Sequence, residues 1–426
     1  MRRILASALI AVLPAVAPCQ APAIAAPVTR HGFAPDRLAR IDRFLQAAVD
    51  SNRIAGAVGL VLRDGDVVYE RAVGWADREA KTPMTADAIF RIASQTKALT
   101  STAAMILVEE GKLALNDPVS RFIPAFARTT VSVRTDSGRV VVPARRAITI
   151  RDLLTHTAGI SYGVDTAISA GYAAVGLGPA AGWGWYTADK DEPVCATMER
   201  LPAVPFAAQP GEAFVYGYGT DILGCVVERA SGVALDEFIR TRITEPLGMR
   251  DTHFFLPAGK RARLAAVYGS DSVGGYVRAP DGARGQGHFV DGPRRNFSGG
   301  AGLVSTARDY ARFLRMLRNG GALGHTRILS PKTVHLMTVD QIGDLYTRGQ
   351  GFGLGFYIVE EPGAAGLATV GSFGWGGAYG STYLVDPAEG LVIVFMIQQL
   401  PNRTDVPAKF QTLVYQALTE PRHTAR

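Results

Sequence analysis

Apolar residues at Leu38, Ile41, Phe44, Leu45 and Val49 in PDRLARIDRFLQAAVDSNR recur at helical spacing and predict an amphipathic helix. AGAVGLVLRDGDVVYERAVG follows, two apolar runs about Asp64-Gly65, and predicts a β-hairpin. SQTKALTSTAAMILVEEGKL is small and apolar on all sides, the pattern of a buried helix begun by Ser94 and ended near Gly111. A second hairpin is expected in TTVSVRTDSGRVVVPARRAITI, turning at Asp136-Ser137-Gly138, then a short helix in TIRDLLTHTAG with Gly159 as its stop. From Ser161 to Pro193 the chain is rich in Gly, Ala, Trp and Tyr and reads as long surface loops. GTDILGCVVERASG and ALDEFIRTRITEPLGM are helical patterns, and residues 256–300 are irregular and Gly-rich. STARDYARFLRMLRNGG is a further helix, GFGLGFYIV, GLATVGSF, GSTYLVDP and GLVIVFMIQQ read as antiparallel strands, and TDVPAKFQTLVYQAL closes as a helix.

Strands at both ends of the chain predict an α+β fold: one antiparallel sheet built from N- and C-terminal segments, flanked by helices, with an inserted mainly helical lobe. The expected division is a discontinuous sheet domain, 27–93 and 300–422, around a helical and loop lobe at 94–299. The first residues, MRRILASALIAVLPAVAPCQAPAIAA, look like a leader at 1–26. A positive start is followed by an apolar run too short to span a bilayer, then by small residues that place cleavage near Ala25 or Ala26. The expected location is secreted or periplasmic, with no membrane attachment after cleavage. Cys19 raises lipid attachment as an alternative, which Pro18 fits badly.

Composition narrows the chemistry. The 426 residues are 47% hydrophobic, enough for a large core, and the net charge of +7 is scattered, with no basic run interleaved with aromatics, so nucleic acid is not an expected partner. Loss of Cys19 would leave Cys195 and Cys225, either paired in an oxidising compartment or, for Cys225 in its apolar helix, a buried thiol. Neither cysteine has metal-ligand spacing, and the seven histidines form no paired cluster, so no metal or other cofactor is expected.

Two serines compete for a catalytic role. GISYG at 159–163 matches the G-x-S-x-G nucleophile elbow and would select Ser161. An elbow needs a strand before its serine, however, and this one follows a helix. In FRIASQTKALTS, Ser94 and Lys97 stand three apart at a helix start and share a face. A serine hydroxyl needs a base to become nucleophilic. Burial and the positive helix end both favour the neutral amine that a base must be. The Ser94 N–H, in the first turn, can point at a developing oxyanion. Only seven lysines occur in the chain, and this one has small or apolar neighbours. A third group must return the proton to the leaving group, and PGEAFVYGYGTDILG supplies Tyr216 just ahead of a helix.

Together these stretches resemble the beta-lactamase-like serine hydrolases, the superfamily of class C β-lactamases, DD-peptidases and family VIII carboxylesterases. FRIASQTK is similar to the S-x-x-K motif, PGEAFVYGYG to the Tyr-x-Asn motif, and FGWGGAYGSTYLVDP to the Lys-Thr-Gly strand. ITIRDLLTHTAGI, EPLGMRDTHFF and GGAGLVSTARDYARFLRMLRNGG extend the likeness over about residues 35–418. The resemblance implies Ser94 as nucleophile, Lys97 and Tyr216 as proton-transfer groups, and the N–H groups of Ser94 and Ala378 as oxyanion hole. Gly376 and Gly377 would let the substrate lie close to the strand edge.

Two departures choose among relatives. The third motif has Trp375 where peptidases and β-lactamases have lysine, and the second ends in Tyr218 where they have Asn. Both replace partners for a carboxylate and an amide with aromatic groups; Trp-Gly-Gly at this place is similar to family VIII carboxylesterases, many of which also lack that Asn. The expected activity is therefore hydrolysis of short- to medium-chain esters, small neutral molecules, through an acyl-enzyme. Tyr162, Phe373 and the loop aromatics Trp183, Trp185 and Tyr186 are expected at the substrate pocket. The alternatives are a class C-like β-lactamase or D-amino-acid peptidase, an acyltransferase of the same fold and, more remotely, a non-catalytic cell-wall-binding relative.

Overall fold

The computed structural model describes residues 31–164, 168–177, 187, 190–270, 276–282 and 288–422. The expected leader with Cys19, and Trp183, Trp185 and Tyr186 of the aromatic loop, lie outside the described residues. The main sheet has strands β1 (Gly56–Arg63), β2 (Asp66–Asp77), β3 (Thr82–Pro83), β4 (Gln350–Phe352), β5 (Tyr357–Val359), β6 (Phe373–Gly376), β7 (Thr382–Asp386) and β8 (Leu391–Met396). Their spatial order is β4-β5-β6-β7-β8-β1-β2-β3, and every neighbouring pair is antiparallel.

The two ends of the chain meet where β1 pairs with β8, from Val58 opposite Met396 to Arg63 opposite Leu391. Every residue of these two strands is buried, which explains their unbroken apolar runs: both faces of the sheet are covered. The Asp64-Gly65 turn has φ of +54° and +96°, the mirror-image turn whose twist suits a two-residue hairpin.

Helices α1 (Pro35–Asp50), α2 (Thr96–Glu109), α3 (Gly219–Ser231), α4 (Ala307–Arg318) and α5 (Val406–Ala417) do the covering. On one face, Ile41 and Leu45 of α1 and Phe410 and Val414 of α5 pack with Val61, Ile393 and Phe395. On the other, Leu99 of α2 and Phe313 and Leu314 of α4 share a core with Val58, Val394 and Met396. Thr96 to Leu107 of α2 are all buried, as their small and apolar sequence required. The predicted fold class is the observed one: a large antiparallel sheet made from both ends of the chain, flanked by helices.

Three local expectations change. GFGLGFYIV is two strands, β4 and β5, folded back on each other through Gly355 at φ +105°. GLATVGSF contributes to a strand only from Phe373 onward, after a turn. TIRDLLTHTAG forms a helix only over Ile150–Leu154, opened by a Thr149–Asp152 capping box. That helix ends before His156, at φ +57°, so Gly159 is not its stop. Gly159 is glycine for another reason: a Cβ there would lie 1.9 Å from the Ala208 carbonyl oxygen.

Cys195 and Cys225 form a disulfide that ties the short helix Val194–Met198 to α3, resolving the alternatives left open by the sequence. No helix among the described residues is long and apolar enough to cross a membrane. With a sequence separation of 30 between the cysteines, loop-closure entropy makes the bridge worth about 3–4 kcal/mol. The double substitution Cys195→Ala/Cys225→Ala should therefore lower the thermal midpoint by several degrees. Adding a strong reductant should lower the wild-type midpoint and leave the double variant unmoved, as read in paired calorimetric scans.

Candidate active site

Ser94 sits in a single 3-10 turn, Ala93–Gln95, that runs directly into α2. Ala93 has φ +44°, a left-handed conformation that costs a non-glycine residue roughly 1–3 kcal/mol. Ala93 and Ile92 are fully buried, so packing holds the turn in place. One helical turn later Lys97 is 2% exposed, and its Nζ donates to three oxygens: Ser94 Oγ at 3.2 Å, the Tyr162 hydroxyl at 2.9 Å and the Gly300 carbonyl at 2.8 Å. The Nζ also lies 4.6 Å from the centre of the Tyr216 ring.

Tyr216 just precedes α3, and its hydroxyl accepts a 3.2 Å hydrogen bond from the indole N–H of Trp375 on β6. His156 packs on its ring with centroids 4.7 Å apart, and Phe214 stacks at 6.5 Å. His156 is buried, and desolvation followed by the field of Lys97 pushes its pKa well down. It is a neutral packing partner here.

The structure brings Ser94, Tyr162, Tyr216, Trp375, Gly376, Gly377 and Ala378 to the wall of one cleft of about 940 Å³, with Lys97 just beneath. Neither the Ser94 N–H nor the Ala378 N–H bonds to another described residue, and both belong to residues lining that cleft. Gly377 has a reason to lack a side chain beyond room for substrate. A Cβ on it would lie 2.5 Å from the Ile92 carbonyl, so the β6–β7 turn abuts the serine turn backbone to backbone.

Two expected pocket residues do not reach the cleft. Tyr218 is fully buried beneath α3, with its ring 4.9 Å from Tyr162 and 6.3 Å from Tyr172. Phe373 is 2% exposed and packs edge-on against Phe356 at 5.2 Å. It points to the same face as Trp375 but lies two residues deeper along β6, under the core. Ser161 does not line the cleft either: it is buried, and its Oγ accepts the Gly163 N–H at 3.0 Å.

The sequence reading missed other contributors. Tyr346, Tyr357 and Tyr383 line the cleft, but nothing in their spacing marks them. Asp221 carried a weak signal, a carboxylate within the apolar run of α3. It is fully buried, its Oδ1 accepts from Ser298 Oγ at 2.5 Å and from the Gly300 N–H at 3.1 Å, and Oδ2 has no partner among the described residues. Burial raises its pKa, against the opposing field of Lys97 and these two hydrogen bonds. Asp221 thus fixes the loop whose Gly300 carbonyl holds Lys97.

The beta-lactamase family model matches residues 41–417. The chain belongs to the beta-lactamase family. Esterase EstB of Burkholderia gladioli is 35% identical over 375 residues, covering 84% of this chain and 89% of that protein. Lovastatin esterase of Penicillium rubens is 31% identical over 404 residues, covering 86% and 95%. Among solved structures, EstCE1, described as a hydrolase with promiscuous acyltransferase activity, superposes with a TM-score of 0.74 at 30% identity, covering 90% of this chain and 99% of that one. The relatives include esterases, which supports a hydrolase for this member of the beta-lactamase family.

Two substitutions probe the construction. Gly377→Ala must push the β6–β7 turn away from Ile92, and misplacement on the ångström scale costs about 100-fold in rate. Hydrolytic turnover by Gly377→Ala should fall 10- to 100-fold with a thermal midpoint within a few degrees of wild type. Asp221→Ala leaves two buried donors unpaired, at about 1–3 kcal/mol each. It should lower both the thermal midpoint and kcat/KM, whereas Asp221→Asn, whose amide oxygen accepts from both donors, should recover most of the lost stability.

Proposed function

We propose that this chain is a serine carboxylesterase, exported after loss of residues 1–26, that hydrolyses neutral esters of short- to medium-chain acyl groups through an acyl-enzyme on Ser94. The observation that carries this is the buried Lys97 amine, 3.2 Å from Ser94 Oγ, beneath a cleft lined by uncharged groups, five tyrosines and Trp375 among them. Ser94 Oγ attacks the ester carbonyl while its proton passes to Lys97 and Tyr216; Lys97 does this as the neutral amine, its lone pair turned to Ser94 and its two N–H groups kept on Tyr162 and Gly300. The N–H groups of Ser94 and Ala378 receive the oxyanion, an arrangement in which each donor contributes about 100- to 1,000-fold. Tyr216 returns the proton to the departing alcohol; water then attacks the acyl carbonyl, giving a proton to the same pair, and the acyl–Oγ bond breaks as that proton returns to Ser94, releasing the free acid.

Trp375 and the other walls favour esters over β-lactams and D-amino-acid peptides. Among the described residues no Lys, Arg, His, Asp or Glu lines the cleft, so a substrate carboxylate has no cationic partner there. The Cys195–Cys225 disulfide suits an oxidising compartment and supports export. Acyl transfer to an alcohol instead of water is a second reading, favoured by the transferase activity described for EstCE1. An acceptor screen that measures new ester alongside free acid separates the two.

The primary test compares p-nitrophenyl butyrate with nitrocefin. Wild type should turn over the ester, Ser94→Ala should lose at least 1,000-fold together with fluorophosphonate labelling, and Ser161→Ala should keep most activity. Rapid nitrocefin hydrolysis with negligible ester turnover would overturn the proposal, as would full activity in Ser94→Ala.

A further inference from the structure

The cleft continues well beyond Ser94. Its walls run from Tyr162 and Tyr216 past Gly376 to Thr382, Pro407, Ala408 and Gln411. Side-chain alternation shows that these residues lie on opposite faces of the sheet. Tyr383 and Val385 of β7 belong to the core shared with α2, whereas Leu384 between them belongs to the core shared with α1 and α5. Thr382 therefore faces α5, and so does its register partner Gly376. Tyr357 also packs toward the α1/α5 core. Trp375 pairs with Tyr383 and faces the serine.

The cleft thus passes from one face of the sheet to the other over the end of β6, and Gly376 is the sill. A Cβ on Gly376 would meet nothing nearer than the Ser381 carbonyl oxygen at 3.3 Å and Thr382 Cγ2 at 3.6 Å, so a side chain there would occupy the passage. The volume of about 940 Å³ lies near the top of the roughly 300–1,000 Å³ that encloses a drug-sized ligand. A two-carbon acyl group would leave most of it to water.

Resting on the serine-esterase proposal, we infer that the chamber walled by Tyr357, Thr382, Pro407, Ala408 and Gln411 is an acyl-chain subsite, and that the substrates are esters of neutral, unbranched acyl chains long enough to cross Gly376. The leaving alcohol must stay beside Tyr216, which protonates it, on the serine face. The group that crosses to the other face is therefore the acyl group. A passage over a backbone edge admits a slender chain. Walls without a charged side chain, among the described residues, select against an ionised chain end. Each methylene moved out of water there favours binding roughly fourfold.

The test uses the full chain with p-nitrophenyl acetate, p-nitrophenyl octanoate and the p-nitrophenyl monoester of suberic acid, whose eight-carbon chain ends in a carboxylate. Ala408 is exposed at the start of α5, so Ala408→Trp fills the far chamber without displacing the core. In wild type, kcat/KM for octanoate should exceed that for acetate at least tenfold, and the suberate monoester should lose that advantage. In Ala408→Trp the octanoate-to-acetate ratio should fall at least fivefold at an unchanged thermal midpoint. A wild-type ratio near one, a smaller change in Ala408→Trp, or equal use of the suberate monoester overturns the subsite. Absence of turnover of every ester by wild type would instead overturn the serine-esterase proposal itself.

Discussion

Burying one amine organises this site. Lys97 is enclosed by α2, α3 and the loops around them, where a polar group left without hydrogen bonds costs several kcal/mol. Its three acceptors come from three separate stretches of chain: Ser94 in the preceding turn, Tyr162 beyond the first short helix of the lobe, and Gly300 just before the chain returns to the sheet. None of these contacts is local except the first. Packing of these stretches around Lys97 therefore also brings together the groups that surround Ser94. Asp221 extends the same dependence inward, since its carboxylate fixes the loop that presents Gly300.

The second half of the site is delivered by the sheet. Pairing of β1 with β8 joins the chain ends, and β7 and β6 follow outward in order, which brings the Trp375–Ala378 edge against the serine turn. The approach of Gly377 to the Ile92 carbonyl sets the spacing between Ser94 and Ala378, two residues of the cleft wall. On the other side of that contact, the positive φ of Ala93 is stored strain, which a buried turn can sustain and an exposed loop could not. Helix start and strand edge position each other, with no contribution from side-chain flexibility.

Much of this was legible in the sequence because it is written in periodicity and in short motifs. The helices at 35–50, 96–109, 219–231, 307–318 and 406–417 follow from their apolar spacing, and the two hairpins from their turn residues. The Ser94–Lys97 pair follows from helical geometry. The misjudged residues depend on depth, which spacing does not encode. Phe373 and Trp375 share a face of β6, yet one lies under Phe356 and the other at the open edge. Tyr216 and Tyr218 flank one residue, yet only the first reaches the cleft, because the start of α3 turns the second into the core against Tyr172. The reversal at Gly355 was hidden because the run GFGLGFYIV stays apolar through its turn.

GISYG shows how a motif can mislead by one residue. Its serine is spent on a local turn, with Oγ bonded to the Gly163 N–H, and its first glycine answers a close approach to Ala208. What the segment gives the site is Tyr162, which accepts from Lys97 and forms part of the cleft wall. The third motif makes the complementary point. Where the resemblance sets a lysine in peptidases and β-lactamases, Trp375 keeps an N–H donor, directed at the Tyr216 hydroxyl, and discards the charge. The tyrosine oxygen is still held by a hydrogen bond, while the cleft around it becomes neutral. One replacement thus keeps a donor on the Tyr216 oxygen and leaves the cleft wall without the charge that a lysine would bring.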